Sequence, residues 1–244
     1  MRVKAVVEYL GTAYAGWQSQ PEQATVQAAL QDALSVALGV TVVKVEGAGR
    51  TDSGVHALGQ VAAFNVPDDT DLHRLRASLN GITARDIAVA TLEKADAGFD
   101  PRRDARSRCY RYTLVCGRPP SPLLADRSWH IAAELDRALL DRMAAAVAGR
   151  HDFSAFRAAD CESPTTVREV ASSIWRAQGH ALEYEVRANA FLKQMVRVLV
   201  GSQVEVALGK LEEEAFYRLL GGGSREDAGP TAPARGLTLV SVDY

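Results

Sequence analysis

Apolar residues along this chain switch between two periods, and the switching runs through the same order twice. Residues 3–9 are rich in Val and read as a strand. Val26, Leu30, Leu34 and Leu38 then fall at helical spacing behind Thr25, a candidate N-cap. Residues 40–45 and 55–66 read as strands, 71–79 as a short helix and 87–92 as a strand. The second half repeats this with strand 108–115, helix 135–147, strands 166–175 and 181–186, helices 190–208 and 211–220, and strand 237–242. Two β-α-β-β-α-β runs predict an α+β fold of two pseudo-repeated ferredoxin-like halves. Their sheets should be mainly antiparallel, with helices on one face and a central cleft between the halves. The join falls in 100–107, which lacks an apolar run, so the expected subdomains are residues 1–105 and 106–244. Residues 221–236, rich in Gly and Pro, read as a mobile flap.

Composition narrows the function classes. Cys109, Cys116 and Cys161 are too few and too irregular for a disulfide framework, and none forms a CxxC pair. The five histidines lie far apart, so no structural metal is expected. A formal net charge of −2 means that any basic surface must be local. No apolar run approaches the roughly 18 residues of a membrane span. The opening MRVKAVVEYLG reads as a strand rather than a cleavable signal. These features suggest a soluble, cytoplasmic protein with no membrane contact.

Between two predicted strands lies Gly47-Ala48-Gly49-Arg50-Thr51-Asp52-Ser53-Gly54-Val55-His56. It fails the dinucleotide fingerprint, which needs a third Gly where Asp52 stands and a helix afterwards. It fails the phosphate loop, which needs Lys and Ser/Thr where Val55 and His56 stand. A nucleotide cofactor is therefore not expected. Two readings stay open on the residues alone. One is a β-turn in which Asp52 and Ser53 cap backbone amides. The other is a reactive loop presenting Arg50, Asp52 and His56.

The run Gly-Arg-Thr-Asp-Ser-Gly-Val-His at 49–56 resembles the signature of the tRNA pseudouridine synthases of the TruA family. Further motifs follow in collinear order across almost the whole chain. They are Tyr14-Ala15-Gly16-Trp17-Gln18, Thr25-Val26-Gln27, Phe99-Asp100-Pro101-Arg102, Tyr110-Arg111-Tyr112 and His151-Asp152-Phe153. Phe191-Leu192-Lys193-Gln194-Met195-Val196-Arg197 and Pro230-Thr231-Ala232-Pro233-Ala234, with Gly236-Leu237, complete the set. Two pairs depart from the family pattern: Arg103-Asp104, where an aromatic and Ser are usual, and Lys193-Gln194, where a His-rich pair is often found.

The resemblance implies isomerisation of uridine to pseudouridine, with no cofactor, by a homodimer acting on uridines 38, 39 and 40 of the tRNA anticodon arm. It implies that Asp52 is the nucleophile, attacking C1′ or C6, that Arg197 is its cationic partner, and that Tyr110 stacks on the base and helps remove the C5 proton. Phe191 and Leu192 are implied to line the uracil pocket. Arg50, Thr51, His56, Arg102 and Arg108 are implied to contact the RNA, with Arg50 propping the space left by a flipped base. The window 99–118 holds Arg102, Arg103, Arg106, Arg108, Arg111 and Arg118 against only Asp100 and Asp104, which suits phosphate contact.

Plainer readings stand beside these: a solvated Lys193/Arg197 helix stripe, and Tyr110, Tyr112 and Phe191 as core aromatics. Rival functions are a non-catalytic RNA-binding module, an Asp-dependent hydrolase, and the same chemistry at another RNA site. An isomerase releases the C5 proton of uridine, whereas a binding module releases nothing and a hydrolase releases free base or fragments.

Overall fold

The structure, a computed structural model, describes all 244 residues and is a mixed α+β fold with five α-helices. No helix is long and apolar enough to cross a membrane. No group of three or more His, Cys, Asp or Glu side chains stands where a metal ion could be held. The chain divides into two compact units, Met1–Arg106 with Thr238–Tyr244, and Ser107–Leu237.

In the first unit, β1 (Arg2–Tyr9) pairs antiparallel with β3 (His56–Asn65) on one side and β4 (Ile87–Lys94) on the other. The registers include Val6↔Val61 and Ala5↔Leu92. The two-residue strand β2 (Glu46–Gly47) adds to β3 on its outer side. β1 buries Val3, Ala5, Val7 and Tyr9, the alternation that its sequence predicts.

Helix α1 (Val26–Leu38) starts at Thr25, whose side chain accepts from the Ala28 amide, and stops at Gly39, whose φ is 66°. Its buried face is Val26, Leu30, Ala33 and Leu34. Helix α2 (Leu72–Ile82) is capped by Asp71, which accepts from the amides of His73 and Arg74. The expected strand over 40–45 is absent, because the chain joins the ladder only at Glu46. Val43 and Val45 are buried while Val42 is exposed, so the alternation there serves packing and not strand pairing.

In the second unit, β5 (Ser107–Cys116), β9 (Ala181–Ala188), β8 (Val167–Gln178) and β7 (Gly149–Asp152) form successive antiparallel pairs. β6 (Trp129–Ile131) lies parallel to β5. β6 and β7 are too short to leave a periodic signal. Helix α3 (Arg137–Val147) buries Leu140, Met143, Ala144 and Val147, and α5 (Glu213–Leu219) buries Phe216 and Leu219. Helix α4 (Met195–Ala207) is buried along most of its length and takes a polar tie from Trp175 Nε1 to Gln203 Oε1 at 2.8 Å.

Three further expectations are corrected. Helix α4 begins at Met195, not near 190, because Gln194 sits in the left-handed region at φ 62°. Phe191, Leu192 and Lys193 therefore precede the helix, and the Lys193/Arg197 helix stripe does not form. Strand β10 (Leu237–Asp243), read with the second half, instead runs parallel to β3, with Thr238↔His56. Periodicity identifies a strand but does not choose its neighbour. Finally, 221–236 is not a loose flap. The Gly229 amide donates to Ser202 Oγ, Arg225 binds the carbonyls of Ala228 and Gly229 and the Thr231 hydroxyl, and Tyr112 Oη donates to the Pro233 carbonyl at 2.7 Å.

Candidate active site

Asp52 stands half-buried in the first unit, on the loop that enters β3. The Val55 amide donates to the Asp52 carbonyl at 3.2 Å and closes a tight turn. The Gly54 amide and Ser53 Oγ both donate to the Tyr14 carbonyl, at 3.2 and 3.3 Å. Tyr14 is held in turn by its own hydroxyl, which donates to Asp86 Oδ1 at 2.7 Å. Burial, with help from Asp86, pushes the Tyr14 phenol up to about 12.

Residues flanking Asp52 are tied into the unit. Thr51 is 7% exposed, and its Oγ1 lies 2.8 Å from Tyr9 Oη in a buried contact. The Trp17 amide donates to the Thr51 carbonyl at 3.2 Å. Gly16 has φ 96°, and a Cβ there would lie 2.4 Å from the Thr51 carbonyl oxygen, so that position needs glycine on both counts. His56 is buried, and its Nδ1 accepts from the Gly11 amide at 2.9 Å. Gln60, fully buried in β3, donates from Nε2 to the Gly49 carbonyl at 2.9 Å, while its Oε1 has no hydrogen-bond partner. Arg50, by contrast, is exposed. The loop thus turns Thr51 and His56 inward, faces Arg50 outward and leaves the Asp52 carboxylate between.

The second unit carries the other implied residues. Tyr110, half-buried on β5, meets Phe191 edge-on, with ring centroids 5.1 Å apart. Leu192 is buried beside Phe191 in sequence, ahead of α4. Arg197 is half-buried in the first turns of α4. Its Nε donates to the Ala232 carbonyl at 2.8 Å, and the Ala232 amide donates back to the Arg197 carbonyl at 3.1 Å. The 230–236 segment therefore orients this guanidinium. Tyr112, buried on the same strand as Tyr110, is a packing residue whose phenol burial pushes well up.

The basic window is not uniform. Arg102, Arg103 and Arg106 belong to the first unit and are exposed. Asp100 accepts from the amides of Arg102 and Arg103, and these bonds, the Arg103 one first, hold its carboxyl below the usual range. In the second unit, Arg108 Nη1 donates to the Asn189 carbonyl at 2.9 Å. Arg111 is neutralised by Glu183 and Glu185 at 3.3 and 3.4 Å, which removes it from the free positive charge. Lys193 is paired with Asp160 at the surface.

Sequence reading missed Tyr9, Gly16, Trp17 and Gln60 as supports of the loop. Gly16 and Trp17 lie in the Tyr14–Gln18 motif, whose residues carry no sign of the loop they support. Tyr9 and Gln60 carried only the strand signal.

The chain matches the tRNA pseudouridine synthase family over residues 5–102 and 143–244. It is 43% identical over 244 residues to tRNA pseudouridine synthase A of Myxococcus xanthus, covering 100% of this chain and 92% of that one. It is 41% identical over 243 residues to tRNA pseudouridine synthase A of Geotalea uraniireducens, covering 100% and 99%. A solved Cbf5-Nop10-Gar1 complex is similar at a TM-score of 0.34 and 10% identity, over 97% of this chain and 57% of that chain, too weakly to carry an argument. With the loop that holds Asp52 inside the first matched stretch, and Arg197 with the segment that orients it inside the second, the chain belongs to the tRNA pseudouridine synthase family.

Proposed function

We propose that this protein isomerises uridine to pseudouridine in tRNA. The N1–C1′ bond breaks, the base turns, C5 bonds to C1′, the C5 proton leaves and the freed N1 takes up a proton. Atoms and oxidation state balance without a co-reactant. The observation that carries the reading is Asp52: a half-buried carboxylate on a loop whose neighbouring peptides are all tied down. Such a group suits nucleophilic catalysis, in which a carboxylate adds to the substrate and later departs.

In this reading Asp52 is the nucleophile, Arg197 supplies positive charge, and Tyr110, edge-on to Phe191, meets the base and helps remove the C5 proton. Arg50, exposed beside Asp52, enters the space left by the flipped base, an extrusion that costs a few kcal/mol. Arg102 and Arg108 contact the backbone. Thr51 and His56, turned inward, act by shaping the loop. The substrate is the anticodon arm at positions 38, 39 and 40, bound by a homodimer that reads RNA shape. The two units are copies of one ferredoxin-like pattern, which the antiparallel β4-β1-β3-β2 order of the first supports.

Nucleoside analysis of unmodified tRNA after incubation tests this. Pseudouridine should appear with intact RNA and no free uracil. Free uracil or cleaved RNA would favour hydrolysis, and unchanged RNA with binding would favour a non-catalytic module.

A further inference from the structure

Tyr9 ends β1, far from the reactive loop in sequence. From Val7↔Gln60 to Tyr9↔Ala57, β3 uses one residue more than β1, an irregularity of the kind that re-aims side chains. Tyr9 remains on the buried face of β1, and its hydroxyl meets Thr51 Oγ1 at 2.8 Å with no solvent between them. Trp17 packs on the Tyr9 ring at 6.1 Å and gives its amide to the Thr51 carbonyl. Thr51 is thus held through both its side chain and its carbonyl, directly before Asp52. The Val55 amide holds the Asp52 carbonyl on the other side. The peptides on both sides of Asp52 are thereby fixed.

We infer that Tyr9 is a positioning residue for the reaction, acting through the Thr51 hydroxyl to hold the Asp52 peptide in its reactive orientation. The inference rests on the pseudouridine synthase reading above. A hydroxyl pair inside a folded unit could serve stability alone, and kinetics separate the two roles. Positioning acts on the reacting geometry, where an error of about 1 Å costs on the order of 100-fold in rate. Stability alone leaves turnover intact at temperatures where the variant is folded.

The test is tritium release from tRNA carrying 5-³H-uridine, measured for wild type, Tyr9→Phe, Thr51→Val, the double variant and Thr51→Ser. Each is assayed well below its own melting temperature. Tyr9→Phe and Thr51→Val should each lower kcat by roughly 10- to 100-fold with KM within about twofold of wild type. The double variant should be no slower than the slower single one, because both remove the same contact. Thr51→Ser, which keeps the hydroxyl, should stay within about threefold of wild type. An unchanged kcat for Tyr9→Phe overturns the inference, as do losses that multiply in the double variant or fall on KM alone. Wild type that binds tRNA but releases no tritium overturns the functional reading and this inference with it. Active wild type beside a fully active Tyr9→Phe overturns this inference only.

Discussion

The loop that carries Asp52 is held by residues to which the proposed reaction gives no chemical step. Its loop is fixed by contacts that are local in space and distant in sequence, such as Tyr9 to Thr51 and Gly49 to Gln60. Gly16→Ala should be severe. A side chain would need the left-handed backbone that glycine supplies, and its Cβ would press on the Thr51 carbonyl. The expected loss is about 1–3 kcal/mol by urea denaturation, together with a lower kcat. A variant as stable and active as wild type would mean that the loop tolerates displacement. Arg50→Ala should leave stability unchanged, since Arg50 is exposed, yet lower activity on folded tRNA. Normal activity would remove it from the flipped-base reading. The sequence singles out Arg50 and Asp52 through the Gly-Arg-Thr-Asp-Ser-Gly-Val-His run and its family resemblance, since a glycine-flanked polar loop alone reads equally as a β-turn. It hid Tyr9 and Gln60 because strand alternation looks the same whether a buried side chain packs on carbon or on a hydroxyl.

At the scale of elements, most helices and strands were readable from period and caps. Thr25 and Asp71 cap α1 and α2 as side chains of that kind do. The failures have physical causes. Residues 40–45 alternate correctly but find no backbone partner until Glu46. The start of α4 was masked because Phe191 and Leu192 continue an apolar run that Gln194 breaks through its backbone, not its side chain. The Gly/Pro-rich segment after α5 looked loose by composition, yet it presses against α4. At Gly201 a Cβ would lie 1.8 Å from the Pro230 carbonyl oxygen. Gly201→Ala must therefore push the segment away from the helix, costing roughly 1–3 kcal/mol as overpacking does. Because Arg197 Nε is bound to Ala232 two residues after Pro230, activity should fall as well. A fully active, equally stable Gly201→Ala would show that this close approach is not needed.

For the molecule as a whole, chain order and unit membership differ: 238–244 follows the second half in sequence and groups with the first unit. Thr238–Tyr244 belongs with the first unit, where Tyr244 Oη donates to the Pro101 carbonyl at 2.7 Å and its ring meets Phe99 edge-on at 5.0 Å. Removing 238–244 should destabilise the first unit and abolish activity, although Asp52 and its loop remain. Retained activity would contradict that placement.

The pH response is likewise a property of the whole chain. Asp100 is held low by backbone amides, and Asp152 by a side-chain hydrogen bond from Thr166 and the Ser154 amide. Their native values lie below the unfolded value of about 3.9, so their stabilisation is complete above about pH 5. It is lost as pH falls from there through the native values. Urea midpoints measured from pH 7 to pH 3 should change little down to about pH 5 and fall below it. For Asp152→Asn that acid-side fall should be shallower, and an unaltered fall would remove Asp152 from this account.

On the function proposed above, Asp52 acts as the nucleophile of a uridine isomerase. Tritium release from tRNA carrying 5-³H-uridine, with wild type and Asp52→Ala side by side, tests it most directly. Release by wild type and none by Asp52→Ala, with both variants binding tRNA and melting alike, is the predicted result. Release by a folded Asp52→Ala at the wild-type rate would contradict the claim.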